Sequence, residues 1–314
     1  MIQHWTELGS LWNAARRAAR GKRHRPSVAK VLFDLEGTVL RLRRELRDGT
    51  WQPGIPQAHA IRDPKPRIIH AAPFADRIVH QALCAAIGPL LDRGLIEHSY
   101  ACRVGKGTHA ALRQARLWAR SYSHFVHLDV VKFFPSLDHA ILLAQLERVI
   151  PCEATRAICE RIVQAWRGPG VRFYFPGDDL FTPYGRTVGL PIGNLTSQHF
   201  ANRYLSPVDH RAKDRLRIRP YLRYMDDMLF FGNDRSQLQD WAHELEDACY
   251  RQRARLHPCG PCAEEATRRA GGAPRPLPAL ASVYLCTLGP RHDLETAHQD
   301  PAQPGDPGLR PVGP

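Results

Sequence analysis

Tyr221-Leu222-Arg223-Tyr224-Met225-Asp226-Asp227-Met228-Leu229-Phe230-Phe231-Gly232 places two adjacent carboxylates between two apolar half-strands. Aromatic and large aliphatic residues on both sides, closed by Gly232, predict a β-hairpin whose tip carries Asp226 and Asp227. Acids are an odd choice for a tight turn, because like charges repel and neither residue suits positive φ as well as Gly or Asn. A bound cation removes the objection. Mg²⁺ takes one or two carboxylates plus phosphate oxygens, so the pair suits two-metal phosphoryl transfer. An isolated Asp-Asp is far more often an ordinary acidic surface turn, and the rest of the chain decides between the two.

The 314 residues allow one large domain or two ordinary ones. The formal charge of +13 and a pI near 9.7 arise mainly from Arg, with few Lys. Such an excess favours a polyanionic partner, because phosphate neutralisation releases counterions. Basic ribosomal and membrane-surface proteins share it, so charge alone names no function. No run of 18 apolar residues occurs, and no membrane partner is expected. The eight cysteines include a single Cys-x-x-Cys pair, Cys259 and Cys262, without the companions of a zinc site. They read as reduced thiols, consistent with a cytoplasmic location. Residues 1–25 hold Trp5, Leu8, Leu11 and Trp12 ahead of an Arg-rich run. An organelle transit peptide would look similar; a basic amphipathic helix or arm touching nucleic acid fits the remaining chain better.

Val28, Val31, Leu32, Leu35, Val39, Leu42 and Leu46 recur at helical spacing, predicting one amphipathic helix. Prolines around Lys65 and Arg67 force extended backbone there, where both cations can grip phosphates or simply form a solvated edge. A helix over residues 76–91 follows, with a break marked at Gly88-Pro89. The Gly-punctuated basic loop Ser99 to His109 precedes a helix over residues 110–120 and lacks Walker spacing. The apolar run from His124 stops at Asp129, which alone would more often be a turn residue than a ligand. Beside the hairpin it supplies a third carboxylate, enough to hold two Mg²⁺ roughly 4 Å apart. Gly189 to Gln198 then combines turn residues with Asn and Thr caps at the start of a helix, either a nucleotide or template cradle or an ordinary helix entrance.

In this order the blocks resemble those of reverse transcriptases, over residues 26–257. Tyr224-Met225-Asp226-Asp227 looks like that family's signature hairpin, and Leu128-Asp129-Val130-Val131-Lys132-Phe133-Phe134 like the strand carrying its first catalytic Asp. Lys65-Pro66-Arg67 and Tyr100-Ala101-Cys102-Arg103-Val104-Gly105-Lys106-Gly107 resemble two fingers motifs. Ile192-Gly193-Asn194-Leu195-Thr196-Ser197-Gln198 is similar to the form found in bacterial diversity-generating retroelement enzymes.

The resemblance implies an α+β right-hand polymerase: residues 26–123 as fingers with the start of the palm, and residues 124–257 as palm with an antiparallel sheet. It implies RNA-templated DNA synthesis, with an RNA template, a DNA or RNA primer and dNTPs as partners, and a small accessory protein as a further candidate. Asp129, Asp226 and Asp227 would be catalytic and hold two Mg²⁺, for which Mn²⁺ can substitute. Lys65 and Arg67 would steady the triphosphate, with Arg103 near the nucleotide or template. Phe134 falls at the steric-gate position that excludes a ribose 2′-hydroxyl, a role compatible with packing on Phe133. Ile192, Gly193 and Gln198 would lie by the base pair, and Ile192, replacing a hydrogen-bonding side chain, suits error-prone copying. The alternatives are a decayed, RNA-binding remnant and a phage-defence reverse transcriptase.

Residues 258–314 depart from that pattern. Eleven of the 26 prolines lie from Pro258 onward, and the composition predicts a disordered or frameshifted tail in place of a thumb. The coding DNA tests the frameshift: a neighbouring frame should encode a Leu/Gly/Lys-rich segment after Pro258, and its absence would overturn that explanation.

Overall fold

A computed structural model describes residues 2–62, 66–166, 168–257 and 286–287. A 3₁₀ turn, Ile2–Thr6, precedes α1 (Leu8–Ala18), α2 (Pro26–Phe33) and α3 (Leu35–Arg47). Strands β1 (Gln57–Arg62) and β2 (Pro66–Ala71) form an antiparallel pair and lead into α4 (Phe74–Arg93) and α5 (Thr108–Ser121). Next come β3 (His124–Asp129), the single turn α6 (Phe133–Ser136), α7 (His139–Glu147), α8 (Glu153–Gln164), α9 (Thr182–Gly185), α10 (Leu195–Tyr204) and α11 (Ser206–His210). A π turn, Arg211–Arg215, leads to β4 (Tyr221–Tyr224), β5 (Asp227–Gly232) and α12 (Arg235–Arg251), and β6 (Cys286–Thr287) follows. Among the described residues helices are thus mixed with two small antiparallel sheets, in keeping with the α+β expectation. Among the described residues no helix is long and apolar enough to cross a membrane.

The second sheet has the order β4-β5-β3-β6. Its two faces follow from strand alternation. Val126 and Leu128 of β3 share one face with Met228 and Phe230 of β5 and Tyr221 of β4, and they pack into the main core with Leu238 and Leu245 of α12. On the opposite face Phe125, Leu229, Phe231 and Leu222 form a separate apolar cluster with Ala111, Ala115 and Trp118 of α5. Helices therefore cover both faces at the Gly232 end, while the acids stand at the other end of the strands.

Several elements differ from the sequence reading. The first long helix divides at Asp34, whose carboxylate accepts the Gly37 N–H and caps α3. Gly37 permits this, because a Cβ there would lie 2.6 Å from the Asp34 carboxylate. Helix α4 passes through Gly88-Pro89 to Arg93 without ending. The Pro89 ring faces solvent while Ile87 and Leu91 are buried, so core packing outweighs the lost hydrogen bond. The N-terminal segment is part of the core: Leu11, Ala14 and Ala15 of α1 are buried, α1 packs on α4, and Arg16 and Arg17 face outward. Asn194 does not cap α10 with its side chain; that amide oxygen accepts the Ala72 N–H instead. The expected disordered or frameshifted tail lies outside the described residues except for Cys286 and Thr287, which pair with Phe125 and His124.

A tight set of bonds joins the turn after β3 to the loop before α10. Gly189 and Leu190 donate to the carbonyls of Leu137 and Phe134, and His139 donates its backbone N–H to Thr187. Gly189 has φ +103°, and a Cβ there would meet the Trp166 indole at 2.7 Å and the Pro135 carbonyl at 3.1 Å. Gly189→Ala should therefore destabilise the chain by about 2–4 kcal/mol, combining left-handed strain with overpacking. Thermal or urea unfolding checks this; a change below about 0.5 kcal/mol, typical of neutral surface positions, would contradict it.

Candidate active site

Antiparallel pairing of β3 and β5 ends at Asp129 opposite Asp227, and β4 pairs Tyr224 with Asp227. The tight turn is therefore Met225-Asp226, and Asp227 is already the first residue of β5. Only the first central residue, Met225, takes positive φ (59°), the sign pattern of a type II′ hairpin. The left-handed position thus falls on Met225 rather than on either acid. Asp226 stands half-buried in the turn, whereas Asp227 is 8% exposed.

Burial pushes the Asp227 carboxyl up to about 7; the His127 hydrogen bond opposes this, and the charges of Asp226 and Asp129 add to it. His127 Nε2 lies 2.8 Å from Asp227 Oδ1. It precedes Asp129 by two residues, so alternation puts both side chains on the face of Asp227. Sequence reasoning missed His127, although its place two residues before the strand-end acid was a usable signal. Asp129 is also tied to the chain's later part: His257 donates its backbone N–H to the Asp129 carbonyl at 2.9 Å, and its ring lies 3.8 Å from the carboxylate.

Three oxygen-donor carboxylates suit a hard divalent cation. The raised Asp227 supports that fit, because a carboxyl pushed up by burial and by two like charges gains most from a nearby cation. Among the described residues no three His, Cys, Asp or Glu side chains already stand as a metal cage, and one oxygen of Asp227 is engaged by His127. Binding would have to draw the acids together.

The other sequence candidates have their own local contacts. Phe134 is half-buried on Phe133, with ring centroids 5.5 Å apart, and Lys132 before them takes φ 49°. Ile192 accepts the His70 N–H at 2.8 Å, and Gly193, with φ +106°, lies over Ile69. The Ile192 to Asn194 loop is thereby joined to β2, the strand that contains Arg67. Gln198 is half-buried on α10. Arg103 is committed to its own loop, donating to Asp92, at 2.5 Å, and to the carbonyls of Ile96 and Ser99. That loop still abuts the hairpin, since Thr108 Oγ1 donates to the Tyr224 hydroxyl. Lys65 lies outside the described residues.

A family model for "Reverse transcriptase (RNA-dependent DNA polymerase)" matches residues 55–259. Among curated proteins, the COX1/OXI3 intron 1 protein of Saccharomyces cerevisiae is 22% identical over 143 residues, covering 46% of this chain and 16% of that protein. The match thus spans about a sixth of that relative's length. Among solved structures, apo telomerase from Candida tropicalis, truncated from its C-terminal domain, aligns with TM-score 0.46 and 10% identity, over 68% of this chain and 52% of that one. Telomerase from Candida albicans, in complex with a telomeric RNA fragment, aligns with TM-score 0.39 and 11% identity, over 67% and 43%.

The raised Asp227 has a consequence for stability. Its folded pKa exceeds the unfolded one, so the ionised carboxyl destabilises the metal-free fold fully above about pH 7, and the penalty vanishes toward pH 4. Asp227→Asn should stabilise the metal-free chain by on the order of 2–4 kcal/mol at pH 8, with the gain disappearing by about pH 4. Thermal unfolding across that range is the check; a pH-independent difference would contradict it.

Proposed function

The chain belongs to the reverse transcriptase (RNA-dependent DNA polymerase) family, and from that membership we propose that it copies an RNA template into DNA, extending a DNA or RNA primer with dNTPs. The observation that carries this reading is the register of Asp129 opposite Asp227, with Asp226 in the adjoining turn. Two carboxylates from paired strands and one from the turn beside them are the minimum donor set for the proposed chemistry. Asp129, Asp226 and Asp227 would hold two Mg²⁺, or Mn²⁺ in their place, which supply activation of the primer 3′-hydroxyl and neutralisation of the triphosphate.

The chain's own groups account for the remaining tasks. Residues 26–123 serve as fingers and residues 124–257 as palm. Lys65 and Arg67 bring positive charge to the triphosphate, and the net charge of +13 favours the nucleic-acid backbone. Arg103, whose guanidinium is held by Asp92, acts by fixing its loop beside the hairpin, and through that loop reaches the nucleotide or template. The half-buried ring of Phe134 would reject a ribose 2′-hydroxyl. Ile192, Gly193 and Gln198 form a wall near the base pair, and Ile192 offers it no side-chain hydrogen bond. That substitution, within the block Ile192 to Gln198, supports an error-prone retroelement enzyme of the diversity-generating type.

Primer extension on an RNA template with Mg²⁺ tests the activity. The parent should incorporate dNTPs and Asp226→Ala should reduce incorporation to background; no product from a parent that binds primer-template would overturn the proposal. In the same assay Phe134→Ala should lower the preference for dNTPs over rNTPs by about 10-fold or more, roughly the loss of one steric contact worth 1.4 kcal/mol. Unchanged preference would remove Phe134 from the gate.

A further inference from the structure

We propose that Arg223 is a positioning residue for the acidic hairpin: its buried guanidinium, anchored by Asp209, holds the Met225 carbonyl and so fixes the turn that aims Asp226 and Asp227. The proposal rests on the catalytic reading of those two acids.

Arg223 lies in β4 opposite Met228, on the sheet face away from Tyr224 and Asp227, and its side chain is fully buried. Asp209 of α11, also fully buried, receives it bidentately: Nε lies 2.8 Å from Oδ1 and Nη2 lies 2.8 Å from Oδ2. The Tyr221 hydroxyl donates to the same carboxylate at 2.8 Å. The other donors reach outward. Nη1 donates to Asn202 Oδ1 at 3.1 Å and to the Met225 carbonyl at 2.7 Å, and Nη2 reaches the Asn202 carbonyl and Ser99 Oγ. One planar fork thus joins α10, α11, the segment at Ser99 and the turn.

Two features separate a positioning role from simple core stability. A buried ion pair is often replaceable by apolar residues at no loss of stability, so stability alone gives little reason for this one. The Met225 carbonyl, in contrast, takes its donor from Arg223 rather than from the strand ladder. The β4–β5 ladder pairs Tyr224 with Asp227 and leaves Met225 outside it, in a left-handed conformation that Met adopts reluctantly. A Gly at that position would accept the conformation unaided. Lysine could keep the charge beside Asp209, but a single ammonium lacks the fork that serves Asp209, Asn202 and Met225 together.

The test compares the parent, Arg223→Lys, and the apolar pair Arg223→Met with Asp209→Leu, each with and without Met225→Gly. Readouts are thermal stability, Mn²⁺ binding by EPR without nucleic acid, primer-template Kd, and kcat and KM for single-nucleotide incorporation. Arg223→Lys should lose about 10–100-fold in kcat and in Mn²⁺ affinity, the range for groups that orient ligands. Primer-template Kd and dNTP KM should stay within about twofold, an allowance well below that range. The apolar pair should fold with a stability loss from the Tyr221, Asn202 and Ser99 groups it leaves unpaired, yet show the same losses in kcat and Mn²⁺ affinity, and Met225→Gly should recover part of those in both backgrounds. Parental kcat and Mn²⁺ affinity in Arg223→Lys would overturn the proposal. So would losses that Met225→Gly leaves untouched, or failure of both charge variants to fold, which would make the pair a folding requirement only. A parent that extends no primer would overturn the catalytic reading instead, and selective loss of Mn²⁺ binding in Arg223→Lys would still support the clamp.

Discussion

The antiparallel register of β3 against β5 is the constraint on which the site depends. Because Asp129 stands opposite Asp227, two carboxylates far apart in sequence meet at the end of one ladder, and the Met225-Asp226 turn adds the third. A slip of one residue would move every β3 side chain to the other face, placing Asp129 against the main core and Leu128 among the acids. The register is fixed by that penalty. Val126, Leu128, Met228 and Phe230 are buried on one face, and Leu229 and Phe231 pack under α5 on the other.

Apolar burial therefore holds together three like charges that repel. The cost appears locally, as an Asp227 carboxyl raised to about 7 and a hydrogen bond from His127 that offsets part of the rise. On the reverse face Arg223 and Asp209 supply a matched, fully buried pair directly beneath the hairpin. The acids meet histidines on one side of the sheet, His127 at Asp227 and His257 at Asp129, and a closed ion pair lies on the other. A cation beside these carboxylates would relieve that cost.

Much of this was legible in the chain. Apolar half-strands on both sides of Asp226 and Asp227 predicted the hairpin, and the apolar run ending at Asp129 predicted a strand that could bring a third acid to it. What could not be read was which residue of the hairpin takes the left-handed position, because turn position depends on pairing register, and the structure assigns it to Met225. The commitment of Arg103 to Asp92 and of Asn194 to Ala72 was also hidden, since the first depends on how a loop folds back on the end of α4 and the second joins segments distant in sequence. Local propensity misjudged Asp34 and Pro89 in opposite directions: a side-chain cap divided one helix, and buried neighbours carried another past its proline. His127 and Arg223 lie within strands the sequence identified, but their partners are set by three-dimensional packing alone.

The most direct test of the convergence of Asp129, Asp226 and Asp227 on divalent cations is an anomalous diffraction measurement on crystals of the chain with primer-template, a non-hydrolysable dNTP and Mn²⁺. Mn²⁺ peaks at these three carboxylates, beside the triphosphate, are expected. Bound primer-template and nucleotide with no Mn²⁺ at those residues, or with Mn²⁺ held elsewhere, would contradict that convergence.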